Sequence, residues 1–195
     1  METVSVTGIG GFIGSHLATE LIKKGFTFSD VAPNRVYHLA CPSTTFEITN
    51  NTTKVMDTIF DLTRQVIKKY PNSKIINASS MGAGFIDDSA QGAYNVAKRS
   101  MEIYLAHSGV DYVNYRIPAV YGPGMKDDHF IKRCVNGKAF RPVNPERVYY
   151  IAHVSEVVDA LVELRDIEIE EITLGEIYEQ FTSGRRGLYR PAPRS

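Results

Sequence analysis

Gly8, Gly11 and Gly14 recur at intervals of three, directly after the β-branched run of residues 4–7 and directly before a helical repeat on Ile13, Leu17, Leu21 and Ile22 that stops at Gly25. A strand, a glycine turn and a helix in that order restrict the fold severely. Glycines let the backbone turn tightly and approach an anion with no Cβ in the way. The free amides and positive end of the following helix then stabilise negative charge. The segment therefore predicts the opening β-α unit of a parallel sheet, with a phosphate cradle at its turn.

The rest of the chain continues the alternation. A second apolar strand, residues 36–40, closes at Cys41-Pro42. An amphipathic helix follows over residues 52–70, with Val55, Ile59, Leu62, Val66 and Ile67 on one face and Pro71 at its end. Residues 74–78 read as a strand, 94–106 as a helix and 112–117 as a strand ending at Pro118. Strands alternating with helices imply an α/β fold with a doubly wound parallel sheet. Beyond Pro123 the pattern loosens into helices near residues 128–136, 155–165 and 174–181, expected to form a small C-terminal cap. The organisation expected is one minimal domain over residues 1–182, with cap elements mainly from 123–182 and a flexible tail at 183–195 carrying Arg185, Arg186, Arg190 and Arg194.

Charge and composition exclude several partners. Lys plus Arg and Asp plus Glu are both 22 among 195 residues, giving zero net charge, so no electrostatic pull toward nucleic acid or an anionic membrane is expected. A 43% hydrophobic and 23% charged chain has the composition of a folded globule. No apolar run approaches the length of a membrane span and no leader precedes the first strand, so a cytoplasmic location is expected. Cys41 and Cys134 lie 93 positions apart without ligand spacing, and His16, His107 and His129 show none either; no metal is expected.

Tyr94 and Lys98 form a YxxxK pair, a phenol and an ammonium one helical turn apart on the same face. A nearby cation favours phenolate, so Tyr94 is expected to be an acid/base with a lowered pKa. Together, TGIGGFIGSHL at residues 7–17, His38-Leu39-Ala40, Ser79-Ser80, the YxxxK pair and RIPAVYGPG at residues 116–124 resemble the extended short-chain dehydrogenase/reductase superfamily. The narrower resemblance is to its NAD-dependent nucleotide-sugar epimerase/dehydratase branch, in a shortened form. The resemblance implies a Rossmann-like sheet and NAD as cofactor, with NADP an alternative. It places the dinucleotide on Gly8, Gly11, Phe12, Ile13, Gly14, Leu39, Ala40, Ala78, Tyr94, Lys98 and Pro118. It makes Tyr94 the proton-exchanging group and Lys98 the ligand of the nicotinamide ribose. Counting back from Ala83-Gly84 selects Ser79 as the catalytic serine, with Ser80 and Met81 as substrate contacts. It also implies a homodimer through the helices near residues 52–70 and 94–106, for which Ile59, Val66 or Ile103 could serve.

Three departures from the family pattern stand out. Only 24 positions separate Gly14 from His38, too few for the usual second and third strands and for the acidic residue that bonds the adenosine ribose; Asp30 is the nearest carboxylate, in a short connector. The first strand is therefore expected on the sheet edge, covered by the tail or by a second subunit. Lys54 stands where an active-site Asn is usual, and Ala119 replaces an Asn that contacts substrate phosphate.

Dehydratases and decarboxylases place a carboxylate after the catalytic serine, whereas Met81 has no proton to give. Epimerase-type or reductase-type chemistry on a nucleotide sugar is accordingly expected. The segment His38 to Ser43 resembles UDP-glucuronate decarboxylases and keeps decarboxylation or dehydration as an alternative, and a non-catalytic dinucleotide-binding module is another. Cations for a sugar diphosphate are sought among Lys132, Arg133, Arg141 and Arg147, with Arg147 preferred as a substrate ligand.

Overall fold

The structure is a computed structural model and describes residues 2–42, 44–85 and 87–188. The chain divides into two compact units, Met1–Ile117 and Pro118–Ser195. In chain order the first holds β1 (Thr3–Thr7), α1 (Phe12–Lys23), β2 (Thr27–Phe28), β3 (Arg35–His38), α2 (Thr45–Asn50), α3 (Thr52–Lys69), β4 (Lys74–Ser80), a 3-10 turn (Met81–Gly84), α4 (Ala90–Ala106) and β5 (Tyr112–Ile117). Its sheet is wholly parallel, in the order β2-β1-β3-β4-β5. This is the expected reduced Rossmann-like architecture, with one correction: β1 is not an edge strand.

The correction has a simple physical origin. After Gly25, whose φ of +80 suits glycine, the chain turns back and two residues suffice to pair the outer side of β1. Thr27 N–H donates to Glu2 O at 3.1 Å and Ser29 N–H to Val4 O at 2.9 Å. The usual second strand thus survives as the stub β2, while the third has no counterpart among the described residues. Asp30, just past the stub, is taken up by the sheet: it accepts from Ser5 Oγ at 2.9 Å and from Tyr70 Oη at 3.1 Å.

Apolar periodicity does the rest. Val4, Val36, Ile75 and Ile76 are wholly buried in the central strands, and Leu17 and Leu21 of α1 are wholly buried as well. Val36, Val66, Tyr70, Ile75 and Leu105 form one packed cluster, and Ile48, Val55, Ile59, Tyr94, Ala97 and Met101 form another. Each fully buried Val, Leu, Ile or Met among them contributes about 1.5–3 kcal/mol relative to exposure. Two of the residues offered for a dimer surface, Ile59 and Val66, are consumed in these clusters; Ile103 remains 51% exposed. Ile22, counted on the apolar face of α1, is instead 65% exposed.

The second unit contains β6 (Ala119–Tyr121), α5 (Phe130–Val135), β7 (Val148–His153), α6 (Val154–Glu163), β8 (Glu170–Thr173) and α7 (Leu174–Thr182). The three expected helices are joined by a small mixed sheet, β6-β7-β8, parallel on one side of β7 and antiparallel on the other. Of the tail expected from 183, residues 183–188 are described and tied down: Arg186 pairs with Glu170, donates to Tyr121 Oη at 2.7 Å and lies over the Tyr121 and Phe181 rings. Arg190 and Arg194 fall outside the described residues.

Candidate active site

The glycine turn has the geometry of an anion cradle. Gly8 adopts a φ of +73, and a Cβ there would stand 2.8 Å from Ala40 N. A Cβ on Gly14 would stand 2.1 Å from Gly8 O, and one on Gly11 3.1 Å from the same atom. The turn closes on itself through Gly11 N–H donating to Gly8 O at 2.9 Å. No side chain caps α1 at Gly11, so the helix opened by Phe12, Ile13 and Gly14 presents its positive end with no side-chain acceptor on it. A negatively charged diphosphate fits this donor set. Leu39 and Ala40, at the end of β3, lie against the turn, with Leu39 N–H donating to Thr7 O at 3.2 Å.

Tyr94 and Lys98 lie on the buried side of α4, each 8% exposed. Ser89 caps this helix by accepting from Gly92 N–H at 3.0 Å. Lys98 Nζ donates to Ala78 O at 2.8 Å, at the end of β4, and stands 5.9 Å from the centre of the Tyr94 ring. The expectation of a lowered phenol pKa is overturned. Burial first, and then the Cys41 thiol beside it, hold the Tyr94 phenol well above its ordinary value. Burial dominates, and Lys98 one turn away, its ammonium donating to Ala78 O, does not offset it.

The two serines at the end of β4 part company, as successive residues of a strand must. Ser79 Oγ donates to Glu102 Oε1 at 2.6 Å. Glu102 is also held by Arg116, at 2.9 and 2.8 Å, and by Arg99 at 2.7 Å, which together with Ser79 bring its carboxyl down to about 2 against the penalty of burial. Ser80 caps the 3-10 turn, its Oγ accepting from Gly82 N–H at 3.1 Å, which leaves its proton free to donate. Glu102 was missed in the sequence, although Tyr94, Lys98 and Glu102 succeed one another at intervals of four on one helix face.

Met81 opens the 3-10 turn, partly exposed. Lys54 is exposed on α3 rather than turned inward. Pro118 begins the second unit directly after β5, and Arg147, also in that unit, is exposed just before β7 with its guanidinium 5.5 Å from the Tyr149 ring. Asp87 is held by Ser89 in a loop before α4. Among the described residues no group of His, Cys, Asp and Glu is placed to hold a metal ion, and no helix is long and apolar enough to cross a membrane.

The model of the NAD dependent epimerase/dehydratase family matches residues 25–167. The chain belongs to this family. The match covers Tyr94, Lys98, both serines and Arg147 and begins past the glycine turn. No curated protein matches the chain. Solved epimerase/dehydratase structures share its fold. A UDP-N-acetylglucosamine 4-epimerase from Methanobrevibacter ruminantium has a TM-score of 0.77 at 19% identity over 96% of this chain and 83% of that one. An NAD dependent NDP-hexosamine 5,6-dehydratase of tunicamycin biosynthesis has 0.76 at 19% over 94% and 82%. A UDP-glucose 4-epimerase from Thermus thermophilus, in complex with NAD, has 0.74 at 19% over 93% and 82%.

Proposed function

We propose that the chain is an NAD(P)-dependent enzyme that epimerises or reduces a nucleotide sugar by hydride transfer at a sugar hydroxyl. The observation that carries this reading is the buried Tyr94–Lys98 pair beside the strand end that bears Ser80, on the same sheet as the uncapped glycine turn. Bound NAD supplies the hydride acceptor and donor.

The protein's own groups have separable roles in this reading. The amides of Phe12, Ile13 and Gly14 and the turn at Gly8 and Gly11 hold the diphosphate, with Leu39, Ala40, Ala78 and Pro118 along the dinucleotide. Tyr94 Oη exchanges a proton with the reacting hydroxyl. It rests as the neutral phenol because burial disfavours the anion, and Lys98 is the cation that can hold the phenolate once it forms. For the serine that donates to the reacting oxygen the geometry favours Ser80 over Ser79: a hydroxyl already donating to Glu102 has no proton left to give. Met81 provides no carboxylate, which favours epimerisation or reduction over dehydration or decarboxylation. Arg147 is the proposed ligand of the sugar diphosphate, and α4 with its exposed Ile103 and Tyr104 the proposed homodimer contact.

A non-catalytic dinucleotide-binding module is the second reading, favoured by one observation: Asp30, the carboxylate just past the β2 stub, is committed to Ser5 and Tyr70. The segment that usually decides between NAD and NADP is reduced to the two-residue stub β2, so NADP is an alternative cofactor. The experiment that separates the readings is incubation of UDP-, GDP- and dTDP-sugars with NAD and NADP, with Tyr94→Phe as control. Conversion that the substitution abolishes supports the enzyme; dinucleotide binding without conversion of any sugar supports the module.

A further inference from the structure

We infer that His38 is a positioning residue of the dinucleotide site: fixed in its Nε2–H tautomer, it sets the hydroxyl of Thr7 and so holds the glycine turn against the backbone of Ala40. The inference rests on the reading of that turn as a dinucleotide cradle.

The tautomer follows from the bond that Thr63 makes to its i−4 carbonyl. Thr63 Oγ1 donates its proton to Ile59 O at 2.9 Å. Toward His38 Nε2, 3.1 Å away, Thr63 can then only accept, so Nε2 carries the hydrogen. Nδ1 is therefore bare and accepts from Thr7 Oγ1 at 2.8 Å. With its proton given to the ring, Thr7 Oγ1 is left to accept, and Ala40 N–H donates to it at 3.2 Å. One directional chain runs from Ala40 through Thr7, His38 and Thr63 to Ile59, tying the ends of β1 and β3 to α3.

What the chain holds in place is the closest backbone approach of the cradle. A Cβ on Gly8 would lie 2.9 Å from Ala40 Cα and 3.0 Å from Leu39 C, so turn and strand end meet main chain to main chain. Thr7, immediately before Gly8, is where the two are tied. His38 and Thr63 are 5% and 2% exposed, so water cannot replace a lost member. The groups facing the ring are Thr7 from β1, Thr63 from α3 and the Lys98 ammonium from α4, whose charge adds to burial in keeping the imidazole neutral. The ring thus serves as a fixed acceptor rather than a proton carrier.

The test is fluorescence titration with NADH of the full chain, with folding of each variant checked by circular dichroism. Thr7→Val and His38→Phe should each weaken binding about tenfold, the scale of one buried hydrogen bond. The double variant should bind no more weakly than either single one, because both remove the same tie. His38→Asn, whose amide oxygen stands where Nδ1 stood, should restore affinity to within about threefold of the parent. A folded His38→Phe with parental affinity, a His38→Asn as weak as His38→Phe, or losses that multiply in the double variant would each overturn the assignment. Should His38→Phe not fold, a weak Thr7→Val beside a retained His38→Asn sustains it, and any other pairing rejects it. No binding by the parent chain removes the cradle reading and this inference with it.

Discussion

Replacing Gly14 by alanine places a methyl group 2.1 Å from Gly8 O, 2.9 Å from Gly8 C and 3.0 Å from Ile9 Cα. An ordinary carbon-oxygen contact is about 3.3 Å or more, so turn or helix must give by roughly 1 Å. The obstructing atoms are main chain and cannot rotate away. The carbonyl that must move accepts the Gly11 N–H that closes the turn, so the strain falls on the cradle itself. Overpacking of this kind costs about 1–3 kcal/mol. If that cost is borne by the binding geometry, NADH affinity falls between about fivefold and about 160-fold, and the melting temperature falls by about 2–4 °C per kcal/mol borne by the free fold. Gly10→Ala is the internal control, since a Cβ there meets nothing within 4 Å. Titration and thermal melting of both variants decide the matter. A Gly14→Ala protein that binds NADH as tightly as Gly10→Ala would refute the steric reasoning.

The two serines should separate in opposite directions: Ser79→Ala loses about 2 kcal/mol of stability by urea unfolding, from its bond to the ionised Glu102, and keeps turnover, whereas Ser80→Ala loses turnover at little cost in stability. Burial, with Lys98 second, brings His38 from 6.5 to about 4, so the unfolded chain takes up the proton first; the stability it contributes is complete above pH 6.5 and declines as pH falls to about 4, by about 3 kcal/mol. Denaturant midpoints between pH 7 and 4 should therefore fall less steeply in His38→Asn than in the parent. Gly82→Ala puts a Cβ 2.3 Å from Asn95 Oδ1 and should destabilise by about 1–3 kcal/mol; adding Asn95→Ala removes the obstruction, so thermal melts should show strongly non-additive losses.

Long periodic segments were legible in the sequence, and so was the YxxxK pair, because spacing of four on a helix fixes a shared face whatever the tertiary context. The stub β2 was not legible: Thr27 and Phe28 are too few to show a period, and only the pairing of Thr3 and Val4 with them defines the strand. The helix α2 carried a readable signal that went unused, the capping box of Thr44 and Glu47. The small mixed sheet of the second unit depends on pairing between segments far apart, such as Val148 with Thr173, which no local pattern reveals. At the site, the error over Tyr94 came from burial: the sequence supplies the neighbouring Lys98 but neither the enclosure of the phenol nor the thiol of Cys41 beside it. Counting back from Ala83-Gly84 points to Ser79, whereas spacing alone does not show that its side of β4 meets Glu102.

Conversion of a nucleotide sugar by the purified chain in the presence of NAD or NADP tests the proposed chemistry at its root. Chromatography of UDP-, GDP- and dTDP-sugar reactions should show a stereoisomeric or reduced product for at least one sugar, absent with Tyr94→Phe and with Ser80→Ala and retained with Ser79→Ala. A product formed equally well by Tyr94→Phe, or tight dinucleotide binding with every sugar returned unchanged, would contradict it.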